Sequence, residues 1–162
     1  MEKGYDVVML GIVTRAIKAQ RTSICKRWEV LLCSHPHRSA LANPEILSYR
    51  IPETCDEVLA RLHFYRPPEN TEVTETVCPC GLNPMLDFYE MGETAMTEGM
   101  LRALTAVPDL SVSERSNSLQ SLHQVLHRLR AQEIDLLCSV CQLQPTGVNN
   151  SPCQFAASAR SR

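Results

Sequence analysis

At 162 residues, 44% hydrophobic and 21% charged, the chain has the size and composition of one globular domain able to bury a core of its own. A net charge of −2 at pH 7, with no dense Lys/Arg run, gives no basic field to hold a polyanion, so no nucleic acid is expected as a partner. The longest apolar run, residues 7–13 (VVMLGIV), is far short of the ~20 residues that span a bilayer, and Glu2 and Asp6 make a poor secretory leader before it. A cytoplasmic location and no membrane partner are therefore expected.

From the N-terminus, apolar residues at 8, 12, 16/17, 24, 28 and 31/32 recur with helical spacing. Thr22 and Ser23 are expected to interrupt this stretch and cap a second helix carrying Ile24, Trp28, Leu31 and Leu32. Pro36, in Ser34-His35-Pro36-His37, ends it by disfavouring helix at His35. Asn43-Pro44-Glu45 then predicts a short helix to about Tyr49, with an Asn cap and Pro at the first helical position. Thr54-Cys55-Asp56-Glu57 reads as a capping box opening another helix through Val58, Leu59 and Leu62. Pro67-Pro68 closes this N-terminal half, residues 5–66. Residues 71–77 alternate β-branched and acidic side chains without a second strand to pair with, so 67–77 is read as a linker.

Asn83-Pro84 repeats the Asn-Pro start signal, and a helix over 84–104 is predicted despite Gly92 and Gly99, each costing about 1 kcal/mol relative to alanine. Their phase with Met85, Phe88, Ala95 and Met96 predicts close helix packing on that face. Pro108 breaks the helix, and Ser111-Val112-Ser113-Glu114 is a second capping box. The last helix carries Leu119, Leu122, Val125, Leu126, Leu129, Leu136 and Leu137 and ends near Cys138. Small polar residues after Pro145 predict a disordered tail over 146–162. The expected fold is all-α: a single domain, 1–145, of five or six helices, closing in an antiparallel helical hairpin.

Eight cysteines are many for a cytosolic chain (25, 33, 55, 78, 80, 138, 141 and 153). Cys25 and Cys33 fall in apolar helical stretches, where a free thiol acts as a small hydrophobe. Four others form two tight pairs, Cys78-Pro79-Cys80 and Cys138-Ser139-Val140-Cys141, bracketing the last two helices. Helices over 84–104 and 114–137 are ~32 Å and ~36 Å long, so a short turn between them returns the second pair to the first. Cys78, Cys80, Cys138 and Cys141 are thus the expected metal ligands of a hairpin, 78–141, clasped at its open end.

Thiolates select zinc and iron–sulfur clusters, and a closed Cys₄ shell is a common structural zinc set. Zinc is the expected cofactor, with an iron–sulfur cluster as the alternative; reversible disulfides and unliganded thiols are the remaining readings. Cys78-x-Cys80 is tighter than usual ligand spacing, a crowding that Gly81 is expected to relieve by letting the backbone turn beneath the ion. A Cys-x-x-Cys oxidoreductase is disfavoured, because Cys138 sits near a helix C-terminus and no βαβ pattern surrounds it.

The Cys-x-Cys plus Cys-x-x-Cys order resembles the zinc switch of the redox-regulated holdase chaperones. That resemblance implies that Cys78, Cys80, Cys138 and Cys141 are ligands released by oxidation to disulfides. It covers these four residues alone; that family's spacer is much shorter and its N-terminal domain differs in character, so neither fold nor chaperone activity follows. The segment Ile24-Cys25-Lys26-Arg27-Trp28 is loosely similar to helical sensor domains of bacterial stress regulators.

His123 and His127 stand at i,i+4, but the stretch His-Gln-Val-Leu-His has no glutamate in the metallopeptidase order, so both are placed at the edge of the polar face. His35 and His37 flank Pro36 in a loop and are expected to face solvent. Glu90, Glu93 and Glu98 read as a solvated helix face, without a Glu-x-x-His partner for a carboxylate-bridged metal pair. Phosphate-cradling glycine loops and the nucleophile elbow are missing from the sequence. The expected function is a non-enzymatic regulatory or adaptor protein acting through a protein partner, with a structural zinc; the alternative is a thiol-based redox or metal sensor.

Overall fold

Among the described residues the chain forms five helices: α1 (Lys3–Ala19), α2 (Arg21–Ser34), α3 (Pro44–His63), α4 (Met85–Ala106) and α5 (Val112–Ser139). The computed structural model describes residues 3–34, 43–65 and 83–139, excluding the side chains of residues 3–10, 138 and 139. The all-α architecture matches the expected fold class. The linker at 67–77 and the tail at 146–162 lie outside the described residues.

Three helix starts follow local chemistry. The Asn43 side chain accepts from the Glu45 backbone N–H at 3.0 Å, with Pro44 in the first turn. Asn83 repeats this at α4, accepting from the Met85 N–H at 2.9 Å. At α5 the capping box is complete: the Ser111 N–H donates to Glu114 Oε2 at 2.7 Å, and the Glu114 N–H donates to Ser111 Oγ at 3.2 Å.

Two boundaries differ from expectation. The break between the first helices falls at Gln20, whose carbonyl accepts from the Ile24 N–H at 2.9 Å, so Thr22 and Ser23 lie exposed in the first turn of α2. The short helix from Pro44 and the one expected at Thr54 are a single helix that passes straight through Pro52. Its buried stripe explains this: Leu47, Ile51, Thr54, Cys55, Val58, Leu59 and Leu62 share one face. Proline in a helix interior costs ~3 kcal/mol or more. Burial of apolar side chains on both sides of it, at ~1.5–3 kcal/mol each, outweighs that cost.

α4 packs against α2, α5 and α1, while α3 packs against α5, α1 and α2. α3 and α4 therefore face each other diagonally across the core, where Cys55 Sγ stands 3.9 Å from Met96 Sδ. The α2–α4 seam is built on two glycines. Trp28 lies over Gly92 and Ile24 over Gly99, each with side-chain atoms where a Cβ would stand. Both pairs sit where the sequence phase anticipates close packing. The Trp28 indole N–H donates to the Phe88 carbonyl at 2.9 Å, and its ring packs on Phe88 with centroids 4.8 Å apart.

Arg115 closes the α4–α5 turn by donating to the Leu104 carbonyl at 2.8 Å and the Leu110 carbonyl at 3.2 Å. The Leu104 carbonyl belongs to the last turn of α4, whose carbonyls have no intrahelical partner. Arg50 pairs with Glu133 at 2.6 Å, tying α3 to α5. Hydrogen bonds hold Asp56 (from Arg21), Glu98 (from Arg27) and Glu114 (from Ser111) below the usual carboxylate range. A carboxylate with a depressed folded pKa adds its stability above its unfolded pKa and loses it as pH falls through the folded one. These three contributions are thus in force at neutral pH and vanish on acidification.

Tyr89 breaks the pattern of satisfied polar groups. Its hydroxyl is buried with no hydrogen-bond partner among the described residues, and burial pushes the phenol above its ordinary range. An unmade hydrogen bond leaves a desolvation cost uncompensated. Tyr89→Phe is expected to raise the unfolding free energy by about 1 kcal/mol, read as a higher urea midpoint at unchanged slope. A loss of stability would instead mean that the hydroxyl has found a partner, such as an internal water.

Candidate functional site

The hairpin end comes first. Glu93 of α4 meets His123 of α5 at 2.6 Å, and Arg115 near the start of α5 reaches the last turn of α4, so these helices run antiparallel. From the Glu93–His123 level, Met85 is ~12 Å back along α4 and Cys138 ~22 Å onward along α5. The α5 backbone at Cys138 thus stands ~10 Å beyond the first turn of α4, on the side where the chain enters that helix. Cys80 precedes Met85 by five residues. Cys78, Cys80 and Cys141 lie outside the described residues, as does the side chain of Cys138. The hairpin that would carry the sulfurs is formed; the clasp itself lies beyond what is described.

A second thiol site lies in the bundle interior. Cys25 of α2 is partly buried, while Cys55 of α3 is fully buried. Their side chains interact across the two packed helices, while the Cys55 S–H donates to Met96 Sδ at 3.9 Å. One turn before Cys25, Arg21 forms a two-point ion pair with Asp56, the neighbour of Cys55, at 2.5 and 2.7 Å. The Cys25 thiol is drawn down to about 7, first because Cys55 donates to its thiolate and then, against burial, by the Arg21 charge. Cys55 is pushed well above the thiol range, because its proton is engaged by Cys25 and because it is buried. A thiolate formed here is therefore Cys25, with Cys55 as the protonated neighbour.

Sequence reasoning missed this pair. The sequence pattern places Cys25 in apolar packing and Cys55 in a capping box, and the 29 positions between them carry no local sign of contact. The one available hint is charge: Arg21 precedes Cys25 by a helical turn, and Asp56 directly follows Cys55. Cys33, also expected as a small hydrophobe, is exposed near the end of α2.

His123 is exposed and engaged by Glu93, and its ring centroid is 6.0 Å from that of His127. Glu98 is held by Arg27 through two hydrogen bonds of 3.0 Å. His35 and His37 lie outside the described residues. Among the described residues, no group of three or more His, Cys, Asp or Glu side chains is placed to hold a metal ion.

An open groove of about 540 Å³ runs between the end of α3 and the middle of α5, lined by Ala60, Arg61, Phe64, Tyr65, Val125 and Arg128. Phe64 is 79% exposed, and the Arg128 guanidinium sits 5.6 Å above the Tyr65 ring. The Tyr65 hydroxyl donates to Gln124, and Arg61 donates to Gln132 at 3.0 Å, fixing the groove walls. Among the described residues, no helix is long and apolar enough to cross a membrane. Comparison with protein-family models, curated proteins and solved structures gives no match.

Proposed function

We propose that this chain is a non-enzymatic regulatory or adaptor protein of the cytoplasm, with a structural zinc ion held by Cys78, Cys80, Cys138 and Cys141 and a protein partner bound on its helical faces. The observation carrying this reading is the antiparallel return of α5 along α4, which directs the chain bearing Cys138 toward the entry into α4 that follows Cys80. Four thiols in two close pairs match the soft, closed donor set that zinc takes structurally. The groove beside Phe64 supports a protein partner: an exposed aromatic is the kind of anchor interfaces use, and Arg61 and Arg128 suit an acidic companion.

Elemental analysis of the full chain purified without air is expected to find about one zinc ion per chain. Structural zinc contributes ~10–16 kcal/mol in small peptides, where metal binding and folding coincide. In a bundle that has its own core, chelation is expected to remove about 3 kcal/mol, a Tm drop of roughly 6–12 °C at this length. Cys138→Ser is expected to lose the zinc and reproduce that drop. A protein free of metal, with a Tm indifferent to chelator, would sink the zinc reading. Brown protein absorbing near roughly 400 nm would replace zinc by an iron–sulfur cluster. Zinc ejected by mild peroxide with a reversible conformational change would make the site a sensor.

A further inference from the structure

We propose that Cys25 and Cys55 form a peroxide-reactive dithiol, in which Cys25 is the site oxidised by a hydroperoxide and Cys55 resolves it into a disulfide joining α2 to α3. This assignment is independent of the zinc reading, since it uses neither pair of the proposed clasp. Three observations carry it. The two thiols sit on packed neighbouring helices, beside the Arg21–Asp56 pair that ties α2 to α3, and their side chains interact. Cys25 is partly open to solvent whereas Cys55 is sealed in the core, so a small oxidant meets Cys25 first. Arg21, fixed by Asp56, places a guanidinium one helical turn from Cys25, where it favours thiolate over thiol.

The chemistry runs in two balanced steps. The Cys25 thiolate attacks the terminal peroxide oxygen; the S–O bond forms, the O–O bond breaks, and the alkoxide or hydroxide leaves with a solvent proton as alcohol or water. Sulfur gives up two electrons and becomes sulfenic acid, and the peroxide bond receives them. Loss of the Cys25 negative charge removes what held the Cys55 proton in place. Cys55 then releases that proton to solvent, attacks the Cys25 sulfur and expels hydroxide, which leaves as water. Before oxidation the Cys55 S–H donates to the Met96 thioether at 3.9 Å, and among the described thiols Cys25 is the one that interacts with Cys55.

Trypsin places the two cysteines in separate short peptides, 22–26 and 51–61, distinct from those of Cys33 and of the clasp cysteines. The full chain is treated with near-stoichiometric hydrogen peroxide and mapped without reduction by mass spectrometry. The expected result is a linked 22–26/51–61 species lacking two hydrogens. Cys55→Ser is expected to stop at a Cys25 sulfenic acid trapped by dimedone, and Cys25→Ser to leave Cys55 reduced. The pH midpoint for alkylation of Cys25 by iodoacetamide is expected near the value its setting imposes, and to rise by about one pH unit in Arg21→Gln. Exposed Cys33 serves as the reference thiol in the same digest. The proposal is overturned if Cys25 alkylates no faster than Cys33, or if peroxide carries Cys25 to sulfinic acid without the linked peptide. Because the wild-type map needs no variant, a substitution that fails to fold leaves the test intact, and loss of zinc from the clasp does not alter its readout.

Discussion

Trp28→Ala is expected to lower the unfolding free energy by about 3–5 kcal/mol, the range for truncating a buried aromatic. Trp28 is 0% exposed and is among the largest fully buried side chains. Its removal deletes the tilted ring contact with Phe88, the hydrogen bond to the Phe88 carbonyl and the surface that covers Gly92. At this chain length the loss corresponds to a Tm drop of roughly 6–20 °C. Since domains hold only ~5–15 kcal/mol in all, the variant is expected near the edge of folding at 37 °C. Trp28→Phe keeps an aromatic ring while removing the indole N–H, and is expected to lose less than half as much. Urea unfolding at constant slope measures both; a Trp28→Ala cost under about 1 kcal/mol would show that the α2–α4 seam is not where the core is tight.

The glycines of that seam give the second large effect, opposite in sign to helix propensity. Alanine in a helix interior is favoured over glycine by ~1 kcal/mol. Gly11→Ala in α1, where an added methyl meets nothing within 4 Å, is expected to realise that gain. At Gly92 and Gly99 the added carbon would fall under 3.0 Å from side-chain atoms of Trp28 and Ile24. Overpacking of this kind costs ~1–3 kcal/mol, so both variants are expected to be destabilised despite better propensity. Gly92→Ala is expected to be the worse, because the indole is rigid and anchored by its N–H, whereas Ile24 can turn its outer carbons aside. Pairing Gly92→Ala with Trp28→Leu is expected to cost less than the sum of the singles, as for any two residues in contact. Equal gains at positions 11, 92 and 99 would contradict the close approach.

How far the chain could be read in advance depended on whether a signal was local. Asn43-Pro44, Asn83-Pro84 and the Ser111–Glu114 box act within one turn of backbone, and each sits at the helix start it announces. The phase of Gly92 and Gly99 was readable because both lie on the same face as Phe88 and Met96. The expected end near Tyr49 and the Thr54 box fail for the opposite reason: their local preference is overruled by the stripe from Leu47 to Leu62, whose value comes from helices elsewhere in the sequence. The contact between Cys25 and Cys55 leaves only the opposite charges of Arg21 and Asp56 as a trace in the sequence, because it exists only once α2 and α3 are side by side. The clasp cysteines are legible as a pattern, and the hairpin that frames them is formed.

The seam also has an optical consequence. Trp28 is the chain's single tryptophan, and it is sealed between α2 and α4. Emission excited at the red edge of protein absorption therefore comes from one indole at one contact, without averaging over other sites. Whatever loosens that contact, whether a partner, an oxidant or a chelator, is reported at that ring in an unlabelled sample.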